Sequence, residues 1–91
     1  MFAVVVRESG EPEALNASGQ HLETNVIPRV RQGPGFVTAL WMTDRSGHTL
    51  NVLVFESEDA ARAALERVRS APRPNSLHLD SADIHQVLAK T

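Results

Sequence analysis

Ninety-one residues, 42% hydrophobic and 22% charged, describe one globular domain over residues 1–91 rather than a disordered chain or a pair of domains. The formal net charge of −2 and the scatter of nine Lys and Arg residues argue against nucleic acid or an anionic membrane as a partner, since both select for a basic patch. The absence of cysteine excludes disulfides, thiol chemistry and cysteine-ligated metal.

Phe2 to Arg7 is a run rich in valine that reads as a buried strand. It lacks a basic leader and is too short for a signal peptide or a membrane span, so a cytoplasmic location is expected. Glu8-Ser-Gly-Glu-Pro12 is expected to break it and to open a helix over about residues 13–31. Leu15, Leu22, Val26 and Val30 supply that helix with an apolar stripe. Gly19 weakens it, and Pro28 cannot donate to the Thr24 carbonyl, so a kink or break is expected there. Gln32-Gly-Pro-Gly35 ends the segment.

Phe36–Thr43 and Thr49–Phe55 read as strands of a hairpin, joined by Asp44-Arg-Ser-Gly47 as a type I turn with a glycine bulge. Ser57 is placed to cap a second helix whose first turn carries Glu58 and Asp59 and whose apolar face carries Ala60, Ala61, Ala64, Leu65 and Val68. Ala71-Pro-Arg-Pro-Asn75 stops it. Leu77 to Leu88 then alternates as a last strand, with Ala82, Ile84, Gln86 and Leu88 on one face. The order βαββαβ predicts an α+β, ferredoxin-like fold: a four-stranded antiparallel sheet with both helices on one face.

The turn sets the hairpin register. Thr43 faces Thr49, Met42 faces Leu50, Trp41 faces Asn51 and Leu40 faces Val52. One sheet face is then expected to carry Phe36, Thr38, Leu40, Met42, Leu50, Val52 and Val54, and the other Val37, Ala39, Trp41, Thr43, Thr49, Asn51, Leu53 and Phe55. Both are largely apolar, whereas an antiparallel sheet with one wet face alternates apolar and polar residues. Helices cover only one face. The simplest cover for the other is a second copy of the chain about a two-fold axis, so a homodimer is expected.

The stretch Asn25 to Leu65 resembles the dimeric α+β barrel superfamily, in particular its antibiotic-biosynthesis-monooxygenase-like branch. Pro-Gly-Phe at residues 34–36, the hairpin, and Phe-Glu-Ser-Glu-Asp-Ala-Ala at residues 55–61 carry the resemblance. It implies pairing of two ferredoxin-like units into a barrel, with a pocket between sheet and helices. The superfamily includes cofactor-independent quinol oxygenases, haem-degrading oxygenases and isomerases. The haem-degrading members place a haem-ligating histidine on the second helix, where this chain has none.

His21 and Asn25 lie one turn apart on a helix. They are candidates for a proton acceptor and for a hydrogen-bond donor to an oxyanion, against the plainer reading of a wet helix edge. Trp41 and Asn51 are candidates for ligand contact, against core or interface roles. Asn51 is polar within an apolar strand and needs a hydrogen-bond partner if buried. Asp83 and His85 share a strand face but lack a third metal ligand, so no metal and no cofactor are expected. The resemblance implies a cofactor-independent monooxygenase of a phenolic or quinol compound; the competing reading is a non-catalytic homodimer that binds a small aromatic ligand or a partner.

Overall fold

The computed structural model describes residues Met1–Thr91. The chain runs through β1 (Phe2–Gly10), α1 (Pro12–Asn16), α2 (Gly19–His21), a π-helical stretch (Leu22–Val26), α3 (Ile27–Arg31), β2 (Phe36–Thr43), β3 (His48–Phe55), α4 (Glu58–Ser70) and β4 (Leu77–Gln86). The strands form one antiparallel sheet in the order β2-β3-β1-β4. This is the ferredoxin-like α+β arrangement that the element order predicts.

β1 runs past the break expected at Glu8. Glu8 pairs with Thr49 on β3 and with Leu79 on β4, and Ser9 pairs with His48 and His78. Two flanking ladders outweigh the local turn chemistry. Gly10 ends the strand: its N–H donates to Gly47 O at 2.9 Å, and a Cβ at this position would collide with the Ser76 carbonyl.

The expected helix over residues 13–31 is present but interrupted. A turn at Ala17–Ser18 separates α1 from α2, and Ser18 Oγ donates to Leu15 O at 2.7 Å. Pro28 has no amide hydrogen, and its ring crowds the Thr24 carbonyl. The helix widens just before it, where Ile27 N–H donates to Leu22 O, five residues back. Leu15, Leu22, Val26 and Val30 are half-buried, as the stripe predicts, yet no residue of this segment is buried.

The hairpin has the predicted register from Leu40↔Val52 to Thr43↔Thr49. Its turn differs from type I at Arg45, which takes φ +66°, while Gly47 takes the positive φ, +99°, expected of a bulge glycine. The Asp44 carboxylate holds this shape by accepting from Ser46 N at 2.7 Å and His48 N at 3.1 Å. A bulge between Phe36 and Thr38 shifts the start of β2, so Phe36 pairs with Phe55. Phe36 therefore lies on the helix-covered face, contrary to strict alternation, and meets Phe55 edge-on with ring centroids 6.0 Å apart.

Ser57 caps α4 by accepting from Ala60 N at 3.1 Å. Ala71 is extended because Pro72 follows it, and the helix ends there. α4 buries Ala61, Ala64 and Leu65 against Val4, Val6, Leu53, Phe55 and Ala82 of the sheet. The small alanines let the helix sit close to the strands.

Ala82, Ile84 and Gln86 share the helix-covered face, as expected, while Leu88 lies beyond β4 and is exposed. On the opposite face Leu40 is 61% exposed, Met42 41% and Leu50 37%, with Val5 and Val52 half-buried beside them. The second apolar face inferred from the sequence is thus real and uncovered in a single chain. No helix is long and apolar enough to cross a membrane.

Candidate functional site

On the helix-covered face the polar side chains gather at the end nearest the β2–β3 turn, apart from Gln86 at the far end of β4. At the turn end the register stacks Trp41, Asn51, Val6 and Ala82 in one cross-strand row, and Thr43, Thr49, Glu8 and Leu79 in the next. α4 does not reach over the β2 side, where the α1–α3 segment lies instead. Thr43 Oγ1 donates to Asn16 Oδ1 at 3.3 Å, which ties the end of β2 to α1.

Asn51 is 7% exposed, and its Nδ2 donates to Glu8 Oε1 at 3.1 Å. Arg73 Nε donates to Glu8 Oε2 at 2.9 Å, with the Arg73 and Glu8 side chains 17% and 13% exposed. Arg73 also donates through Nη1 to the Ala71 carbonyl at 3.2 Å. A shielded pair of this kind is expensive to break, because removing one partner strands the other charge in a poorly solvated site. Next to it, Thr49 Oγ1 is buried with no hydrogen-bond partner in the chain. An unpaired buried hydroxyl costs about 1–3 kcal/mol, so this position favours a polar neighbour.

Trp41 and Asn51 are direct cross-strand partners, as the sequence predicts. Trp41 also borders a cleft of about 280 Å³ between α3 and the β2 edge, walled by Ile27, Arg31, Phe36, Val37 and Ala39. A larger open cleft of about 510 Å³ lies beyond α4, over Phe2, Leu65 and Ile84, and is rimmed by Glu58, Arg62, Glu66 and Gln86. Trp41 and Asn51 do not line it, and its charged rim is solvated.

His21 and Asn25 are both exposed and bonded to each other, Asn25 Nδ2 donating to His21 Nδ1 at 3.1 Å. That bond occupies a ring nitrogen, and proton uptake there requires Asn25 to release it. No hydrogen bond joins this pair to Asn51 or Glu8. Asp83 and His85 are exposed on the opposite sheet face, and no group of three or more metal-ligating side chains forms.

Three residues of the cluster escape a reading of the sequence: Glu8, Thr49 and Arg73. Arg73 sits in the Pro-Arg-Pro stop after α4 and reads there as one more surface arginine. The one available signal was Asn51, a buried amide that must find a partner, but its partner lies 43 residues away.

No sequence-family model matches the chain, and no curated protein matches it. Solved structures do. A monooxygenase from the gene ActVA-Orf6 of Streptomyces coelicolor, in complex with nanaomycin D, superposes with a TM-score of 0.65 at 21% identity, covering 99% of this chain and 89% of that one. An antibiotic biosynthesis monooxygenase gives 0.56 at 15% identity over 100% of both chains. The heme-degrader MhuD from Mycobacterium tuberculosis, with two hemes bound in its active site, gives 0.57 at 18% identity over 100% of this chain and 99% of that one. At these identities the likeness is one of fold. The chain shares the ferredoxin-like α+β fold of these three structures.

Proposed function

We propose that this chain is a homodimeric small-molecule protein that takes up a flat phenolic or quinol compound beside Trp41 and Asn51 and oxygenates it with dioxygen alone. The observation that carries this reading is Asn51, a buried polar side chain on an apolar face, next to the tryptophan that borders the cleft. Trp41 offers an aromatic wall and Asn51 a polar handle, the usual make-up of a small-molecule site. Two of the structures with this fold hold extended planar ligands, nanaomycin D and heme. Haem itself suits this chain poorly, because α4 turns Ala61, Ala64 and Leu65 towards the sheet and carries no histidine.

The oxygenation balances without an added reductant. A phenol, or the keto tautomer that carries a methylene opposite its oxygen, reacts with dioxygen at that ring carbon to give a quinone and water. The substrate loses two hydrogens and gains one oxygen atom, and the second oxygen leaves as water. The protein's part is to orient the ring and to stabilise the oxyanion formed when the first proton departs. His21 is the candidate acceptor of that proton on the helical side, and Asn25 the candidate hydrogen-bond donor to the oxyanion.

One observation favours a second reading, a ligand-binding protein without turnover. Glu8 is committed to Arg73, and the His21 Nδ1 to Asn25, so neither is a free base beside Asn51. A single experiment separates the two. Trp41 is the only tryptophan and there is no tyrosine, so intrinsic fluorescence reports on this site alone. Titration with anthrone is expected to quench it saturably, and Asn51→Leu to weaken that binding. Oxygen uptake above the buffer blank, with anthraquinone as product, selects the oxygenase. Saturable quenching without uptake selects the binding protein, and absence of quenching refutes both.

A further inference from the structure

The cleft between α3 and the β2 edge is walled by apolar side chains, and the polar ones that reach it are Thr38 and Arg31. Arg31 is its single charged residue. It projects from the last turn of α3, where a cation complements the helix dipole. Arg29 in the same turn meets that need equally and does not line the cleft. Arg31 also has no carboxylate partner. The ion pairs of the chain join His48 to Asp44, Arg62 to Glu58, Arg69 to Glu66 and Arg73 to Glu8. A further cation lies just past α3: a Cβ on Gly33 would sit 3.1 Å from Arg67 Nη2, and Arg67 is unpaired too. Glu56, on the neighbouring β3–α4 step, pairs with none of these arginines. A chain of net charge −2 thus keeps uncompensated positive charge at the one cleft that its tryptophan borders.

We propose that this cleft takes a flat compound bearing a carboxylate, with the ring against Trp41 and the carboxylate on Arg31. The guanidinium presents parallel N–H donors in a planar fork, and a carboxylate accepts them two at a time. One guanidinium balances one negative charge, which suits a ring monocarboxylate better than a phosphate near its second ionisation. β2 is an outer strand, and its open edge carries unpaired backbone N–H groups that can add donors. In the empty cleft Arg31 is exposed and its field is screened by water. A ring seated on the apolar walls removes water from one side of the ion pair and strengthens it. The inference rests on the aromatic-ligand reading above and adds the charge of the ligand and the residue that reads it. Arg31 is a binding residue, and no step of the oxygenation is assigned to it.

The test compares 2-naphthoate with 2-naphthamide by calorimetry on the full chain at neutral pH. The two probes have the same shape and differ in charge. The wild type is expected to bind the naphthoate about five-fold more tightly or better. Added salt should weaken the naphthoate and leave the naphthamide unchanged. Arg31→Gln should bring the ratio of the two affinities close to one while keeping that of the naphthamide. Arg31→Lys, which retains the charge without the fork, should recover part of the preference. Arg29→Gln removes the same charge from the same helical turn and should leave the ratio as it is in the wild type.

Equal binding of the two probes by the wild type overturns the proposal and leaves the aromatic-ligand reading standing. So does an equal loss of preference in Arg29→Gln and Arg31→Gln, which would assign it to the diffuse charge of the helix end. A fall in both probes together in Arg31→Gln, with the ratio kept, makes Arg31 a structural residue and also overturns it. If neither probe binds the wild type, the aromatic-ligand reading fails and this inference fails with it. Arg31 is exposed and outside the core, so its variants should fold, and far-UV circular dichroism confirms that they do.

Discussion

Leu40→Lys tests whether the uncovered sheet face joins two copies of the chain. Burying a whole leucine side chain stabilises by about 1.5–3 kcal/mol. Leu40 is still 61% exposed in the single chain, so roughly 1–2 kcal/mol remains to be gained when a partner covers it. A two-fold interface carries each substitution twice, and the loss becomes about 2–4 kcal/mol, or roughly a 30- to 1,000-fold rise in the dimer Kd. Burying a lysine ammonium adds to that loss. Met42 and Leu50 lie beside Leu40 on the same face, so Met42→Lys is expected to act in the same direction. The assay is sedimentation velocity across a protein concentration series, with far-UV circular dichroism to confirm the fold. Ala63→Lys, on the exposed side of α4, is the control and should leave the dimer Kd unchanged. Since Leu40 contributes little to the single chain's core, its replacement should leave secondary structure intact. A wild-type chain that stays monomeric throughout the series refutes the reasoning. So does a Leu40→Lys chain that dimerises as well as the wild type.

Phe55→Ala empties the centre of the core, where Phe55 is fully buried against Phe36 and α4, and should cost about 3–5 kcal/mol by urea denaturation; a loss below about 1 kcal/mol would mean the core is assembled differently. Ser57→Ala removes the hydroxyl that accepts from Ala60 N and should cost about 1 kcal/mol in the same assay, with no change if the cap is not formed. The Asp44 carboxyl is held below its ordinary value of 3.8, first by the Ser46 backbone N–H and next by that of His48. A depressed folded-state value means that the carboxylate's contribution is complete above the unfolded value and disappears as pH falls through the folded one. The stability gap between wild type and Asp44→Asn should therefore close on acidification, and a carboxyl carbon resonance of Asp44 titrating at or above 3.8 contradicts the turn geometry.

The sequence by itself determined the order of elements, the hairpin register from Leu40 to Asn51 and beyond, the α4 cap at Ser57, and the apolar character of both sheet faces. These are local or period-two properties: a turn of known length aligns its strands, and alternation assigns each side chain to a face. Bulges and ladders broke that locality. The extra residue at Val37 moved Phe36 to the helix side, and pairing on both edges carried β1 through Glu-Ser-Gly to Gly10. Gly19 and Pro28 marked the weak points of the first helix, but neither the π-helical stretch nor the shallow seating of that segment is legible from its apolar stripe. Asn51 and Trp41 were legible as neighbours across one hairpin. The Glu8–Arg73 pair that orients Asn51 was not, because its members are 65 residues apart and each is unremarkable in its own segment. Only the tertiary structure, by setting β1 beside β3 and folding the chain after α4 back over β1, brings carboxylate, guanidinium and amide into a place shielded enough for their hydrogen bonds to dictate geometry.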